Sequence, residues 1–372
     1  MSTKPQIVKI ALATHAYDIV IGNGLLTAVH DYIPIKAQKL ALITDTHVEK
    51  NHLAPLLAHF ESVGVKVVHH IIEAGESSKS FPHLQSLCDF LLDAQIERDD
   101  YIIALGGGVV GDLTGFAASI IRRGTRFIQI PTSLLAQVDS AIGGKTGINV
   151  KQGKNLIGAF HQPDLVLIDI DTLATLPPRH IGAGYAEIVK YGALGHRGEY
   201  GDFFEWLEAH ANDILARQPA ALTHAITESC RAKAAFVIDD ERESGNRALL
   251  NLGHTFAHAF ETLTAYDGSL LHGEAVSLGL CLAFDFSVSL GLCPQSDATR
   301  LRALLKAAEL PTQISDCSKS FATQDIMAAM QQDKKVKHGR LRLILTRGLG
   351  DCFIEEAGAP ATLVQFLDSQ NG

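Results

Sequence analysis

The chain has 372 residues, with 32 Lys and Arg against 41 Asp and Glu, a net charge of −9. At about 100–200 residues per domain that length has room for two domains, and 47% hydrophobic with 20% charged residues is too apolar for disorder. The acidic excess gives no general attraction to nucleic acid or to an anionic membrane, and taken alone it argues against an anionic substrate.

The first residues, MSTKPQIVKIALATHAYDIVIG, lack an uninterrupted apolar core and a small-residue cleavage pattern, so no signal peptide is expected and the chain is placed in the cytoplasm. QIVKIALA and DIVIG read as an opening hairpin. Five β-rich runs follow: LALITD (40–45), VKVVHHIIE (65–73), YIIALG (101–106), RFIQIP (126–131) and LVLIDI (165–170). Helix-like stretches such as HVEKNHLAPLLAHFESVG and FPHLQSLCDFLLDAQIE separate them. Strands alternating with helices imply βαβ units and a largely parallel sheet. Past about residue 180 the strand signal fades and Ala/Leu-rich helical patterns dominate: DFFEWLEAHANDILAR, PAALTHAITESCRAKAAFVIDDE and DATRLRALLKAAEL, with one β-like run, RLRLILT (340–346). The most apolar stretch, AVSLGLCLAFDFSVSLGLC (275–293), carries Asp285 and three serines and reads as a buried helix, not a membrane span. The expected architecture is an α/β nucleotide-binding domain over 1–180 and a helical domain over 181–372, with a ligand cleft between them. Cys88, Cys230, Cys281, Cys293, Cys317 and Cys352 are scattered with no CxxC, which fits reduced thiols and not a disulfide frame.

Gly106-x-Gly108-x-x-Gly111 follows a strand and opens a helix. Glycines there let a backbone approach a pyrophosphate, and a helix N-terminus supplies N–H donors. The next strand, RFIQIPTS, ends without the acidic residue that commonly holds a ribose, so a dinucleotide needs a variant scheme in which Asp45, Asp112, Thr132 or Ser133 could contact it. A second glycine loop, Gly143-Gly144-Lys145-Thr146-Gly147, has Asp139 where a Walker A loop needs glycine, which argues against ATP hydrolysis. It reads as a flexible loop presenting Lys145, with Lys154 and Asn155 shortly after. NLGHTFAHAFE places His254 and His258 one turn apart, LHGE adds His272, and AGYAEIVKYG adds Glu187 with Lys190 on the same helix face. Glu187, His254 and His272 would make a one-carboxylate, two-imidazole set that leaves a position open for substrate. His258 would then be free to contact substrate or move a proton. Arg122, Arg123, Lys145, Lys154, Lys190, Lys233, Arg247, Lys334 and Lys335 stand beside these motifs, which points to a substrate bearing phosphate and carboxylate despite the negative total.

Taken in order, GGGVVGDLTGFAA, RGTRFIQIPTSLLAQVDSAIGGKTGIN, KNLIGAFHQP, LPPRHIGAGYAEIVKYG, DDERESGNRALLNLGHTFAHAFE, LLHGEAV and DKKVKHGRLRLIL resemble the 3-dehydroquinate synthase family over nearly the whole chain. The resemblance implies a Rossmann-like N-terminal α/β domain that binds NAD, an all-α C-terminal metal-binding domain, and a homodimer. It also implies conversion of 3-deoxy-D-arabino-heptulosonate 7-phosphate into 3-dehydroquinate and phosphate, a lyase reaction of the shikimate route with NAD-dependent oxidation and re-reduction inside the cycle. By the same resemblance Glu187, His254 and His272 hold Zn²⁺ or Co²⁺. Substrate residues would be Arg123, Asp139, Lys145, Asn155, Lys190, Lys233, Arg247, Asn251 and His258, with Lys334 or Lys335. NAD would lie against Asp45, Gly75, Glu76, Lys79, Gly107, Gly108, Val109, Gly111, Asp112, Thr132, Ser133, Lys145, Lys154, Thr175 and Leu176. The rival readings are another sugar phosphate cyclase and a metal-dependent polyol dehydrogenase.

Overall fold

All the strand runs expected before residue 180 enter one seven-stranded sheet. Its strands are β1 (Gln6–Ala11), β2 (Ala16–Gly22), β3 (Leu40–Asp45), β4 (Val67–Ile72), β5 (Tyr101–Gly106), β6 (Arg126–Pro131) and, later in the chain, β9 (Leu165–Asp169). The order is β1-β2-β9-β6-β5-β3-β4; β1 and β2 are the antiparallel hairpin, and every other pairing is parallel. Successive side chains of a strand point to opposite faces, and both faces here are apolar. Ala41 and Ile43 pack with Leu84, Leu87 and Leu91 of α2 (Phe81–Asp93) and with Leu113 and Ala117 of α3 (Gly108–Ile120). Leu40 and Leu42 pack on the other face with Leu56 and Phe60 of α1 (Ala54–Ser62). A parallel sheet needs this cover on both faces, which is why its strands read as continuous apolar runs.

The computed structural model describes residues 4–13, 15–33, 39–199, 201–332, 341–357 and 360–371. The chain divides into two units, Met1–Pro177 with Leu222–Arg242, and Pro178–Ala221 with Glu243–Gly372. The division after Pro177 lies near the expected boundary, but Leu222–Arg242, most of α6 (Pro219–Asp239), groups with the first unit and not with the second. The segment read as a flexible loop is also different. Lys145–Val150 (β7) and Gly153–Phe160 (β8) form an antiparallel hairpin with a register irregularity between Ile148 and Val150.

The second unit is largely helical: α4 (Pro178–Ala193), α5 (Phe203–Leu215), α7 (His254–Leu263), α8 (His272–Ser289), α9 (Gln295–Ala307), α10 (Thr323–Gln332) and α11 (Pro360–Gln370). It is not wholly α. A two-residue pair, β10 (Arg197–Gly198) with β11 (Gly201–Asp202), and a hairpin of β12 (Leu341–Thr346) with β13 (Cys352–Ala357) interrupt it. The apolar stretch read as a buried helix is α8, buried over most of its length, and no helix among the described residues is long and apolar enough to cross a membrane. All six cysteines are free.

Candidate cofactor and metal sites

In the first unit, β4 and β5 leave β3 on opposite sides, so the strand order reverses there. In open α/β sheets ligands bind at the carboxyl ends of strands beside such a reversal. At that end Asp45 closes β3 and turns its own chain, accepting the N–H groups of His47 and Val48 at 2.8 and 2.9 Å. The Thr44 hydroxyl donates to the Leu105 carbonyl at 2.8 Å and ties β3 to β5. The glycine loop follows directly. Gly107 is the N-cap of α3 and offers no side chain to the first-turn N–H groups, the arrangement that suits an anion. Gly106 and Gly111 serve packing instead: a Cβ on Gly106 would stand 2.5 Å from Val110 Cγ2, and one on Gly111 2.7 Å from Gln129 Oε1.

Around this helix start Lys79, Asp112, Glu76, Lys154 and Asn155 form a polar network joined through Asn149. The Lys79 ammonium, 4% exposed, donates to Asp112 Oδ2 at 2.6 Å and to Asn155 Oδ1 at 2.5 Å. Burial pushes the Asp112 carboxyl up, and the Lys79 charge opposes that rise. Asn149 donates to Glu76 Oε1 at 2.8 Å, and Lys154 Nζ lies 3.8 Å from the same oxygen. Asn155, with φ of 52°, is held at its own N–H by Asn149 Oδ1. Lys233 of α6 donates to Asp139 Oδ1 at 2.8 Å and to the Asp139 carbonyl at 2.7 Å. The Thr132 N–H donates to the Gly106 carbonyl at 3.1 Å, and Ser133 borders Gly107. Gly75, with φ of 119°, precedes the Glu76–Ser78 turn, and Val109 lies in the first turn of α3. Thr175 bonds His52 at 3.0 Å and is followed by half-buried Leu176, while Lys145 is the exposed first residue of β7. Arg123 is not brought to this network. It lies past the other end of α3, about 20 Å along the helix from Gly108 at 1.5 Å per residue.

In the second unit three helices converge. Glu187 of α4, His254 of α7 and His272 of α8 each offer one ligating atom within 4.8 Å of the others. The approach of α8 to α4 depends on Gly273, beside His272: a Cβ there would stand 1.9 Å from the Ala183 carbonyl oxygen. The approach of α8 to α7 depends on Gly279, whose Cβ would stand 2.2 Å from the Gly253 carbonyl oxygen.

Both imidazole Nε2 atoms stand 3.4 Å from Glu187 Oε1. Their other nitrogens are committed. His254 Nδ1 donates to the Leu252 carbonyl at 3.1 Å, and His272 Nδ1 donates to Glu261 Oε2 at 3.2 Å. In the neutral ring each Nε2 therefore presents a lone pair, as second-shell bonds do for metal-binding histidines. Donors about 2.0–2.1 Å from a tetrahedral ion stand about 3.3–3.4 Å apart, so the observed spacing fits a zinc-type cation. Glu187 is completely buried, and neither of its oxygens has a well-directed hydrogen bond. Burial would push its carboxyl up, but Lys190, 2.5 Å from Oε2, and the two imidazoles hold it well below the usual range. Burial takes His254 down to about 4. For His272 burial also acts downward, yet Glu261 and Glu187 outweigh it and take the ring up to about 10. The carboxylates thus ask for positive charge at this point, from a proton or from a cation.

His258 joins the cluster, its ring centroid 5.6 Å from that of His254 and 6.4 Å from that of His272. Arg247, 1% exposed, and Asn251 share the helical turn Asn246–Asn251 just before His254, and Asn251 donates to Glu243 at 2.8 Å. Lys334 and Lys335 lie outside the described residues. One contributor was missed in the sequence. Glu261 follows His254 by seven positions and His258 by three, the spacing of one helix face, and that spacing was the available signal.

The 3-dehydroquinate synthase N-terminal family model matches residues 69–183, and the corresponding C-terminal model matches residues 184–336. The chain belongs to the 3-dehydroquinate synthase family. It is 51% identical over 375 residues to 3-dehydroquinate synthase from Rhizobium meliloti (strain 1021), covering 100% of this chain and 98% of the relative. The enzyme of the same name from Agrobacterium fabrum (strain C58 / ATCC 33970) is 50% identical over 98% of this chain and 97% of its own length. Among solved structures, 2-deoxy-scyllo-inosose synthase complexed with carbaglucose-6-phosphate, NAD⁺ and Co²⁺ superposes with a TM-score of 0.85 at 27% identity, over 94% of each chain. The 2-epi-5-epi-valiolone synthase from Streptomyces hygroscopicus subsp. jinggangensis 5008, with NAD⁺ and Zn²⁺ bound, gives 0.86 at 28%, over 97% of this chain and 98% of that one. Glycerol dehydrogenase from Schizosaccharomyces pombe, at 0.63 and 16% over 95% and 88%, shares the fold alone.

Proposed function

We propose that this chain converts 3-deoxy-D-arabino-heptulosonate 7-phosphate into 3-dehydroquinate and phosphate, using NAD and a divalent cation. The observation that carries the reading is the Glu187, His254 and His272 centre, its imidazoles aimed by Leu252 and Glu261, in a chain half-identical over its length to 3-dehydroquinate synthases. Glu187, His254 and His272 would hold the cation, and the bare N-terminus of α3 with Lys79, Asp112 and Asp45 would hold the nucleotide. The chemistry these groups supply when bound is a reversible hydride exchange, which makes a transient ketone, and Lewis-acid polarisation of its oxygen.

The chain's own residues do the rest. Arg247 keeps its charge at every working pH and suits a carboxylate. Lys190, Lys233, Asn155 and Lys145 suit the remaining anionic and hydroxyl groups, and Asp139 fixes the direction of the Lys233 ammonium. A ketone beside the carbon that bears the departing proton makes that proton acidic, so phosphate leaves by elimination. The protein's cations need only hold the anionic substrate still, and catalysis is largely positioning and electrostatics. His258, beside both ligand imidazoles, is the group suited to moving a proton. A homodimer and a cytoplasmic location belong to the same proposal, the first checked by sedimentation.

The test is to incubate the protein with the heptulosonate phosphate, NAD⁺ and Zn²⁺. One phosphate released per substrate with no lasting NADH absorbance supports the synthase. NADH accumulating in step with substrate loss, or a Glu187→Gln variant as active as wild type, overturns it.

A further inference from the structure

Two charged residues inside the family's sequence blocks have no part in the site as described. Arg179 lies near the start of α4, about two turns before Glu187, and Glu274 lies in the first turn of α8, two residues after His272. Arg179 Nε donates to Glu274 Oε1 at 2.6 Å and Nη2 donates to Oε2 at 2.7 Å. The same guanidinium donates to the Gly268 carbonyl at 3.2 Å and to the Ser269 carbonyl at 2.9 Å. Glu274 Oε2 also accepts the Leu271 N–H at 2.7 Å, which caps α8. One planar group therefore ties the beginning of the Glu187 helix to the loop entering His272 and to the turn leaving it.

We propose that Arg179 is a positioning residue of the metal centre: through Glu274 and the Gly268–Leu271 loop it fixes the place of His272 and thereby sets metal affinity. The proposal rests on Glu187, His254 and His272 being ligands. His272 needs this support because it is the first residue of its helix. Residues at a helix terminus fray unless held, and Glu261 fixes the direction of the ring but not the position of its backbone. Only a fork of donors reaches a carboxylate with two parallel bonds and two carbonyls beside it. Lysine has one ammonium and could not span them.

The test uses the full-length protein stripped of metal, titrated with Co²⁺ in competition with a chromophoric chelator, with the visible Co²⁺ bands recorded. Arg179→Met and Arg179→Lys should each weaken Co²⁺ binding about 10-fold, the lower end of the range for outer partners of metal ligands, and should shift the bands. Arg300→Met is the matched control. It removes an equally bidentate pair, with Glu208 at 2.8 and 2.6 Å, that joins α9 to α5 without touching a ligand helix terminus. It should bind Co²⁺ as wild type does. Co²⁺ affinity within twofold of wild type and unshifted bands in Arg179→Met would overturn the proposal, and so would an equal loss in Arg300→Met. A wild-type protein that binds no Co²⁺ removes the ligand reading itself, and the proposal with it.

Discussion

The two units build their candidate sites from different materials. In the first, the order of the strands and the start of one helix make the cradle, and N–H groups face the expected anion whatever side chains lie nearby. In the second, nothing in the backbone makes a site: Glu187, His254 and His272 come from three helices and meet only because those helices approach closely. A cradle made by topology should tolerate local change. A centre made by convergence should fail when one approach is blocked.

The largest expected effect follows from that contrast. Gly273→Ala places a Cβ 1.9 Å from the Ala183 carbonyl oxygen, and backbone cannot swing aside as a side chain can. The first turn of α8 must lift off α4, taking His272 with it. We expect Co²⁺ binding to fall more than 100-fold and stability to drop by about 3 kcal/mol or more, the upper range for overpacking, read by metal titration and thermal unfolding. The counterpart in the first unit is Gly106→Ala, where the clash is with the Val110 side chain. Adding Val110→Ala removes the Cγ contacts at 2.5 and 3.1 Å but keeps the Cβ at 2.7 Å, so it should return part of the lost stability. Equal rescue of Gly273→Ala by a side-chain truncation nearby would break the comparison.

The same contrast explains what could be read from sequence. The parallel strands were legible because burial on both faces leaves each one as an unbroken apolar run, and the glycine loop was legible because it directly follows such a run. The β7–β8 hairpin was not. Its residues, KTGINV and GKNLIGAF, mix glycine, lysine and asparagine, and β8 is exposed or half-buried throughout, so no alternation marks it. The candidate metal set stood out in two histidines one turn apart plus a nearby Glu and His. Glu261 and Lys79 were not singled out for their burial, since a lone charged residue on a helix or turn reads as solvated until the fold encloses it. The grouping of Leu222–Arg242 with the first unit was hidden for another reason: α6 runs unbroken through Ala221 and Leu222, so nothing local marks a change of neighbours.

An effect read in stability without loss of the metal tests the polar network of the first unit. Lys79→Met removes the ammonium that faces Asp112 at 2.6 Å in a place where its side chain is only 5% exposed. Losing one partner of a buried ion pair costs about 3–5 kcal/mol at neutral pH, an upper figure here because Asp112 keeps some access to water. The pH dependence has a definite sign. Burial already pushes Asp112 above its ordinary value with Lys79 opposing, so removal of Lys79 raises it further. A carboxyl whose folded value lies above its unfolded one binds more protons when folded, and stability is lost as pH rises through the folded value. The deficit of Lys79→Met should therefore shrink on acidification below pH 7.5, as Asp112 takes up a proton. A deficit that is constant with pH would mean Asp112 is already compensated by other groups.

The smallest expected effect separates two duties of Asp45. One oxygen, Oδ1, accepts both the His47 and Val48 N–H groups and so makes the turn at the end of β3. An asparagine can accept the same two bonds through its side-chain carbonyl, so Asp45→Asn should leave thermal stability within about 0.5 kcal/mol. What the amide cannot do is offer a second anionic oxygen at the strand reversal, where the proposed nucleotide would place hydroxyl groups. Hydrogen bonds to charged groups contribute about 1.5–3 kcal/mol, so NAD⁺ affinity should fall about 10-fold or somewhat more while Co²⁺ affinity stays unchanged. If NAD⁺ binding is unaffected, Asp45 only turns the chain, and the cradle rests more fully on the helix start and on Lys79. In either outcome the backbone supplies the site's shape and single side chains adjust its strength. In the helical unit side chains supply both.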